Sequence, residues 1–221
     1  MRNTVAPSIL AANILNLYDD VSKVVAAGAE VLHIDIMDGS FVPAITFGAN
    51  VVEGLRKRCA ATLDVHLMIE NPSNHIQTFA NAGADIITVH YEAVADLDKL
   101  MEISQEIRKL GVKSGISINP QTPVSEIRDI IENFDLVLIM TVVAGLGGQK
   151  YIDSCTAKIA EVAQIARGVS HDLIIEVDGG VNADNIHIPA DAGANLIVAG
   201  SAIFGADDIG AAFVELESKL S

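Results

Sequence analysis

The amino-acid sequence predicts a (β/α)8 barrel of the TIM-barrel class, with residues 1–221 forming a single domain. Short apolar runs alternate from end to end with amphipathic segments of helix length, which is typical of parallel strands joined by helices. There are eight such runs, the number of strands that closes this kind of barrel. Half of the 221 residues are apolar but only 4% are aromatic, so Val, Ile, Leu and Ala must fill the core, as suits buried parallel strands covered by helices.

Each predicted strand is a short apolar run that lies between turn residues or helical patterns. In chain order the predicted strands are Val5–Leu10, Val31–Met37, Thr62–Met68, Ile86–Val89, Lys113–Ile118, Leu136–Met140, Leu173–Val177 and Leu196–Ala199. The segments between them carry helical patterns with caps or breakers, such as Asp96–Leu110 before Gly111 and Val124–Phe134 after Pro123. This order of elements predicts that each strand is followed by its own helix.

A weak internal echo supports repeated strand–helix units. Helices predicted to stop at Gly28, Gly83 and Gly193 each run into a strand through the tripeptide Ala-Gly-Ala. The echo recurs at irregular intervals, which indicates βα units rather than a short-period solenoid. An open doubly wound sheet is the alternative fold, and it is disfavoured because no GxGxxG or Walker loop follows the first strand.

Charge and composition exclude several classes of protein. The formal net charge of −15 argues against a nucleic-acid partner, because phosphate backbones require clustered Lys and Arg. Cys59 and Cys155 show no CxxC spacing and predict neither a disulfide framework nor a zinc motif. Residues 1–5 lack the apolar region of a signal peptide, and the longest apolar stretch, Leu136–Leu146, is too short to cross a membrane. We therefore expect a cytoplasmic enzyme without a membrane partner.

Histidines and carboxylates cluster where the predicted strands end. His33 and Asp35 lie two residues apart on the second strand, and hence on one side of it, and Asp64 and His66 have the same spacing on the third. The carboxyl ends of barrel strands line the active site, and Asp178 reaches the same rim from the seventh strand. The mixed N/O donors of His33, Asp35, His66 and Asp178 suit Zn, Fe, Mn or Co better than Ca or Mg. The alternative is a set of hydrogen-bonded structural residues, but a buried, unpaired Asp would need a compensating charge such as a metal.

The two rim carboxylates also suggest proton transfer. Asp35 and Asp178 on opposite sides of a substrate could remove a proton beside a carbonyl on one face and return one on the other. Such a reaction inverts one carbon centre, and it needs an electrophile to stabilise the charge that develops on the substrate oxygens.

Glycine-rich loops after three consecutive strands predict a phosphate site. The loop after the sixth strand contains Gly145-Leu146-Gly147-Gly148 and is predicted to open a helix at about Lys150. Gly179-Gly180 and Gly200-Ser201 supply similar turns after the seventh and eighth strands, where barrels often bind phosphate. Because a βα turn often needs glycine for its geometry alone, each loop by itself has that simpler explanation.

Three methionines fall at the same predicted rim. Met37, Met68 and Met140 end the second, third and sixth strands. Each alone is explained as core filler, since Met packs irregular gaps, but together they would cap a small, dry pocket above the metal.

The sequence resembles the ribulose-phosphate 3-epimerase family over almost its whole length. The matching stretches occur in order and at appropriate spacing, and they are "APSILAAN", "HIDIMDGSFVP", "LDVHLMIENP", "AGADIITVH", "NPQTPV", "GGQKYI", "EVDGGVN" and "AGSAIFG". The resemblance implies a metal-dependent epimerase with one divalent ion at His33, Asp35, His66 and Asp178, where Asp35 and Asp178 act as the paired acid and base. It also implies a homo-oligomer, a dimer or a hexamer.

The same resemblance assigns the substrate contacts. Ser8 and His66 would touch the substrate, and the methionines would line the reacting region. The positions that would hold the phosphate are Gly145, Leu146, Gly147, Gly148, Gly179, Gly180, Gly200 and Ser201, beside Asp178.

The sequence departs from the family pattern around the rim. Val143 and Ala144 stand where the family commonly has Asn-Pro, and Leu146 replaces a Phe. Ser40 and Ala44 replace a His and an Asn. None of these changes removes a proposed ligand or acid/base group, so they bear on the substrate and the turnover rather than on the type of reaction.

Three functional alternatives follow. The first is interconversion of D-ribulose 5-phosphate and D-xylulose 5-phosphate, the second is epimerisation of another ketose phosphate such as allulose 6-phosphate, and the third is a non-catalytic sugar-phosphate-binding barrel. A Schiff-base aldolase is disfavoured because no Lys ends a predicted strand. The polar residues without an assigned role are expected to be mostly structural or on the surface, and they are Asp64, His75, His90, Glu92, His171 and His187.

Overall fold

Eight parallel strands form a nearly closed barrel with helices between them, and the predicted fold class is confirmed. The computed structural model describes residues 3–220. The strands are β1 (Thr4–Pro7), β2 (Val31–Met37), β3 (Thr62–Met68), β4 (Ile86–His90), β5 (Lys113–Ile118), β6 (Leu136–Met140), β7 (Ile174–Asp178) and β8 (Leu196–Ala199). They pair in the order β1-β8-β7-β6-β5-β4-β3-β2, and a parallel bridge between Ser8 and His33 joins β1 to β2.

Helices follow the strands along the chain. The α-helices are α1 (Leu17–Ala26), α2 (Ala49–Arg56), α3 (Ile76–Ala82), α4 (Tyr91–Val94), α5 (Leu97–Lys109), α6 (Cys155–Ala166), α7 (His187–Ala192), α8 (Ser201–Phe204) and α9 (Ile209–Ser218). Short 3-10 helices span Ile9–Ala11, Ile14–Asn16, Pro72–Asn74, Val124–Glu126 and Arg128–Asn133. Within residues 3–220, no helix has the length and apolar character needed to cross a membrane.

The barrel has one core inside it and another between its strands and the helices. Successive strand residues point to opposite faces. On β2, Leu32 and Ile34 pack in the outer core with residues of the surrounding helices, whereas Met37 packs in the inner core. His33 and Asp35 alternate with the outward-facing residues and so point into the barrel.

The ends of three strands differ from the prediction. β1 stops at Pro7 instead of Leu10, because the chain turns into a 3-10 helix in which the Ser8 hydroxyl oxygen accepts the N–H of Leu10. β7 begins and ends one residue later than predicted, at Ile174 and Asp178. β4 continues one residue further, to His90, which places that side chain inside the barrel.

The continuous helix predicted over Val124–Phe134 is wrong. The segment forms two 3-10 helices that meet at Ile127, with the N–H groups of Ile127, Ile130 and Phe134 donating to the carbonyl three residues earlier. Val124, Ile127 and Ile130 are all buried. Residues spaced by three align along one face of a 3-10 helix, whereas on an α-helix they would drift by about 60° at each step.

The helix after β6 begins at Cys155 and not at about Lys150. Gly180 lies so close to the chain after β6 that a Cβ atom there would be 2.2 Å from the backbone nitrogen of Tyr151. The N–H of Ile152 donates to the carbonyl of Thr141 at 2.8 Å, which further ties this segment down before the helix starts. The glycines of the β6 loop therefore do not lie at the first turn of a helix, and the helix-dipole argument for phosphate fails at this loop.

Candidate metal centre and active site

The register between β2 and β3 sets the centre of the site. His33 is opposite Asp64, and Asp35 is opposite His66, with all four side chains inside the barrel and at most 2% exposed. Polar residues at every second position of two adjacent parallel strands form a block, because the side-chain period of a strand is two. This block lies toward the carboxyl ends of the strands, where barrel active sites are found.

The four predicted metal ligands come together. His33, Asp35, His66 and Asp178 each offer one donor atom, and these atoms all lie within 4.8 Å of one another. Asp35 Oδ1 lies 3.2 Å from His33 Nε2 and 3.1 Å from His66 Nδ1. Two imidazole nitrogens and two carboxylate oxygens at this spacing can hold a metal ion such as Zn, Fe, Mn or Co.

The two carboxyl groups differ in their electrostatics. Burial would raise the pKa of Asp35, but the charge and hydrogen bonds of His33 and His66 hold it well below its usual range. Burial, and then the negative charge of Asp35, raises the pKa of Asp178 to about 7. Two carboxyls that oppose each other's ionisation, Asp35 buried and Asp178 half-buried, would both be stabilised by a cation, so the donor set fits a metal ion.

Two further carboxyl groups contact the ring nitrogen of His33 that faces away from Asp35. Its Nδ1 lies 2.6 Å from Asp64 Oδ2 and 3.1 Å from Glu176 Oε1, with all three side chains fully buried. A proton on Nδ1 donates to Asp64 and leaves Nε2 to face Asp35. Metal-bound histidines are commonly oriented in this way by a carboxylate. Asp64 has no role assigned from the sequence, and the two-residue spacing before His66 is the signal that places it here.

Above the donor atoms lies a cavity of about 770 Å³. It is lined by the predicted catalytic residue Asp35 and by the predicted substrate residues Ser8, Met37, Met68, Met140, Gly145, Leu146, Gly147, Gly148, Asp178, Gly179, Gly180, Gly200 and Ser201. His66, predicted to touch the substrate, does not line the cavity, since it is fully buried beside Asp35. The Ser8 hydroxyl donates to Asp35 Oδ2 at 2.8 Å, which connects β1 to the centre.

The glycines at the mouth let two loops pack closely. A Cβ atom on Gly179 would lie 2.3 Å from Val142 Cγ2, and Gly180 has a φ of +71° in addition to its contact with Tyr151. The simpler explanation of these two glycines, loop geometry, therefore holds, although both still line the cavity. Gly148 has a positive φ but open space around its Cα, so contacts with neighbouring residues do not require glycine there.

Of the residues that depart from the family pattern, Leu146 lines the cavity. Val143 is 50% exposed and Leu146 is 65% exposed. Gln149 Nε2 donates to the carbonyls of both, at 2.6 and 2.8 Å, and so holds the loop in shape. Lys150 is the one cationic side chain among the described residues that line the cavity, and sequence reasoning gave it no role.

Fold and site together define a class of protein. A (β/α)8 barrel that directs two histidines and two aspartates at one cavity is an enzyme scaffold with a candidate metal centre. The chain belongs to the ribulose-phosphate 3-epimerase family, because its residues 4–204 match the model described as "Ribulose-phosphate 3 epimerase family".

Relatives of known name agree with this family. The "Ribulose-phosphate 3-epimerase" of Bacillus subtilis (strain 168) is 48% identical over 217 residues, which are 97% of this chain and 98% of the relative. The protein of the same name from Mycobacterium tuberculosis (strain ATCC 25618 / H37Rv) is 42% identical over 97% of this chain and 92% of its own. The chain is therefore an epimerase. A solved 3-keto-L-gulonate-6-phosphate decarboxylase from Vibrio cholerae has a TM-score of 0.73 over 100% of both chains at 16% identity, which shows a shared fold only.

Proposed function

We propose that the chain is a metal-dependent epimerase that interconverts D-ribulose 5-phosphate and D-xylulose 5-phosphate. One observation supports this most directly. The carboxyls of Asp35 and Asp178 line the same cavity, and the pKa of Asp35 is lowered whereas that of Asp178 is raised. A pair of titratable groups whose environments separate their pKa values is the usual arrangement of an acid and a base. The names of the relatives supply the substrate.

In the proposed reaction Asp35 removes the proton from carbon 3 of D-ribulose 5-phosphate. Asp178 delivers a proton to the opposite face of that carbon, and the two groups exchange roles in the reverse direction. Asp35 comes from β2 and Asp178 from β7, which are separated in the barrel by β1 and β8, so the carboxyls approach from different sides. A divalent cation held by His33, Asp35, His66 and Asp178 would supply positive charge that stabilises the oxygen anion formed when the proton leaves.

The phosphate group would lie at the mouth of the cavity. The cavity is lined by Gly145 to Gly148, Gly179-Gly180 and Gly200-Ser201, which offer backbone N–H groups to an anion. Lys150 adds a positive charge in a chain of net charge −15. We further propose that residues 1–221 act as one catalytic domain and assemble into a homo-oligomer, a dimer or a hexamer.

A second candidate is the same reaction on a longer ketose phosphate such as allulose 6-phosphate. The exposure of Leu146, which lines the cavity, favours it, because a side chain there would meet the part of a longer substrate farthest from the centre. A panel of ketose phosphates, assayed for kcat/KM with Zn²⁺, Fe²⁺, Mn²⁺ and Co²⁺, separates the candidates. Highest kcat/KM with D-ribulose 5-phosphate supports the first, a preference for the six-carbon substrate supports the second, and binding without turnover supports a non-catalytic barrel.

A further inference from the structure

A third histidine stands directly behind the candidate metal centre. His90 ends β4 and is fully buried, and its Nε2 lies 2.8 Å from the Nε2 of His66. The two rings stack with centroids 4.9 Å apart and an interplanar angle of 24°. Because His66 Nε2 is engaged by His90, the nitrogen of His66 left for a metal is Nδ1, which lies beside Asp35 Oδ1.

A carboxylate contacts the other ring nitrogen of His90. Its Nδ1 lies 3.0 Å from Glu92 Oε2. The second oxygen of Glu92 accepts the backbone N–H of Asn119 at 2.7 Å and the hydroxyl of Thr122. Burial would raise the pKa of Glu92, but the hydrogen bonds from His90, Thr122 and Asn119 outweigh it and lower the pKa to about 2. Glu92 is thus a fixed carboxylate that can only accept hydrogen bonds.

The direction of these hydrogen bonds follows from counting ring protons. When both rings are neutral, each carries one proton, and the contact with the Glu92 carboxylate places that of His90 on Nδ1. His90 Nε2 is then an acceptor, so the proton of His66 must be on Nε2. The lone pair of His66 Nδ1 consequently points toward Asp35 Oδ1, 3.1 Å away. Two acceptors facing each other at that distance are stabilised by a cation between them.

We propose that Glu92 and His90 are positioning residues for the metal. Glu92 fixes the ring proton of His90, His90 fixes that of His66, and Nδ1 of His66 is thereby kept free to bind the divalent ion. This inference rests on the proposed function, because it assumes that the His66 cluster binds a metal in the working enzyme.

Glu92→Gln tests the proposal with little change of shape. The amide oxygen of the new side chain can still accept from Asn119 and Thr122, but its NH2 group faces His90 Nδ1 and reverses the required direction of the hydrogen bonds. The affinity for Zn²⁺ and Co²⁺ should fall about 10- to 100-fold, measured by titrating metal-free protein against a chelating competitor. Glu126→Gln is the matched control, since Glu126 is exposed and accepts the hydroxyl of Tyr91 in the same region.

Two further measurements distinguish a role in orienting His66 from a role in stabilising the fold alone. ¹⁵N NMR of the metal-free protein should show His66 protonated on Nε2 and His90 on Nδ1 in the wild type, and the opposite tautomers in Glu92→Gln. His90→Gln keeps a donor toward Glu92 and an acceptor toward His66, so it should retain more metal affinity than His90→Leu.

The outcomes distinguish this inference from the proposed function. If the wild type binds metal and Glu92→Gln binds it equally tightly with unchanged tautomers, the positioning role is overturned while the epimerase proposal stands. Equal affinity in His90→Gln and His90→Leu would overturn it as well. If the folded wild type binds no divalent metal, both proposals fail.

Discussion

At the scale of single residues, the carboxyls of Asp35 and Asp178 differ in their pKa because they have different neighbours. Asp35 accepts a hydrogen bond from Ser8, lies beside His33 and His66 and is held ionised, whereas burial and the nearby charge of Asp35 favour the protonated form of Asp178. The same side-chain chemistry therefore supplies a base and an acid, which is what inversion of a carbon centre requires.

The hydroxyl of Ser8 should matter to activity through Asp35. Ser8→Ala removes a hydrogen bond to a buried carboxylate, an interaction of about 1.5–3 kcal/mol, so kcat/KM should fall about 10- to 100-fold. Steady-state kinetics with D-ribulose 5-phosphate measure this. Ser22→Ala is the control, because the Ser22 hydroxyl donates to the Asp19 carbonyl on the exposed face of α1. A kcat/KM for Ser8→Ala within twofold of wild type would show that the hydroxyl does not support Asp35.

At the scale of elements, the site depends on how the loops after β6 and β7 pack together. Gly180 touches the backbone of Lys150 and Tyr151, and Gly179 touches Val142. The β7 loop therefore keeps the chain after β6 from entering a helix before Cys155. This packing gives the cavity mouth its shape.

Gly180→Ala should destabilise the protein more than Gly28→Ala does. Both glycines have positive φ, +71° and +107°, which costs an Ala about 1–2 kcal/mol, but a Cβ atom at Gly28 meets nothing within 4 Å. At Gly180 the clash with Tyr151 adds about 1–3 kcal/mol of overpacking. Thermal unfolding of the two variants should show a lower Tm for Gly180→Ala. Equal Tm values would mean that the two loops are not in tight contact.

Period-two alternation made much of the site predictable from the sequence. It gave five strands with the observed bounds and placed His33, Asp35, His66 and Asp178 at one end of the barrel. It gave no role to His90 and Glu92, because their contacts depend on the register of β3 with β4 and on a turn about thirty residues away at Asn119. The start of α6 was mispredicted because a close approach of Gly180, distant in sequence, determines it.

At the scale of the whole molecule, the charge opposes the proposed substrate. A chain of net charge −15 repels a sugar phosphate at long range, and Lys150 lies at the cavity where a local attraction is needed. Interactions between exposed charges are screened by salt within about 8–10 Å at physiological ionic strength. Lys150 is thus expected to act mainly on substrate capture at low salt.

Lys150→Met should raise KM several-fold while kcat changes little, because the side chain attracts the phosphate without touching the reacting carbon. The difference in KM from wild type should shrink as NaCl rises from about 20 to 500 mM, since salt screens the attraction. Kinetics over that range measure it, with Lys57→Met as a control at the exposed C-terminal end of α2. An unchanged KM at low salt would remove Lys150 from substrate capture.

The most direct test of the central claim follows carbon 3 of the substrate by NMR. D-ribulose 5-phosphate is incubated with metal-loaded protein in D2O, beside the Asp35→Asn and Asp178→Asn variants. Two-carboxylate proton transfer predicts xylulose 5-phosphate carrying deuterium at carbon 3 with the wild type, and a loss of that exchange of at least about 100-fold with either variant. Folded, metal-loaded wild type that incorporates no deuterium, or variants that retain near-normal exchange, would contradict the assignment of Asp35 and Asp178 as base and acid.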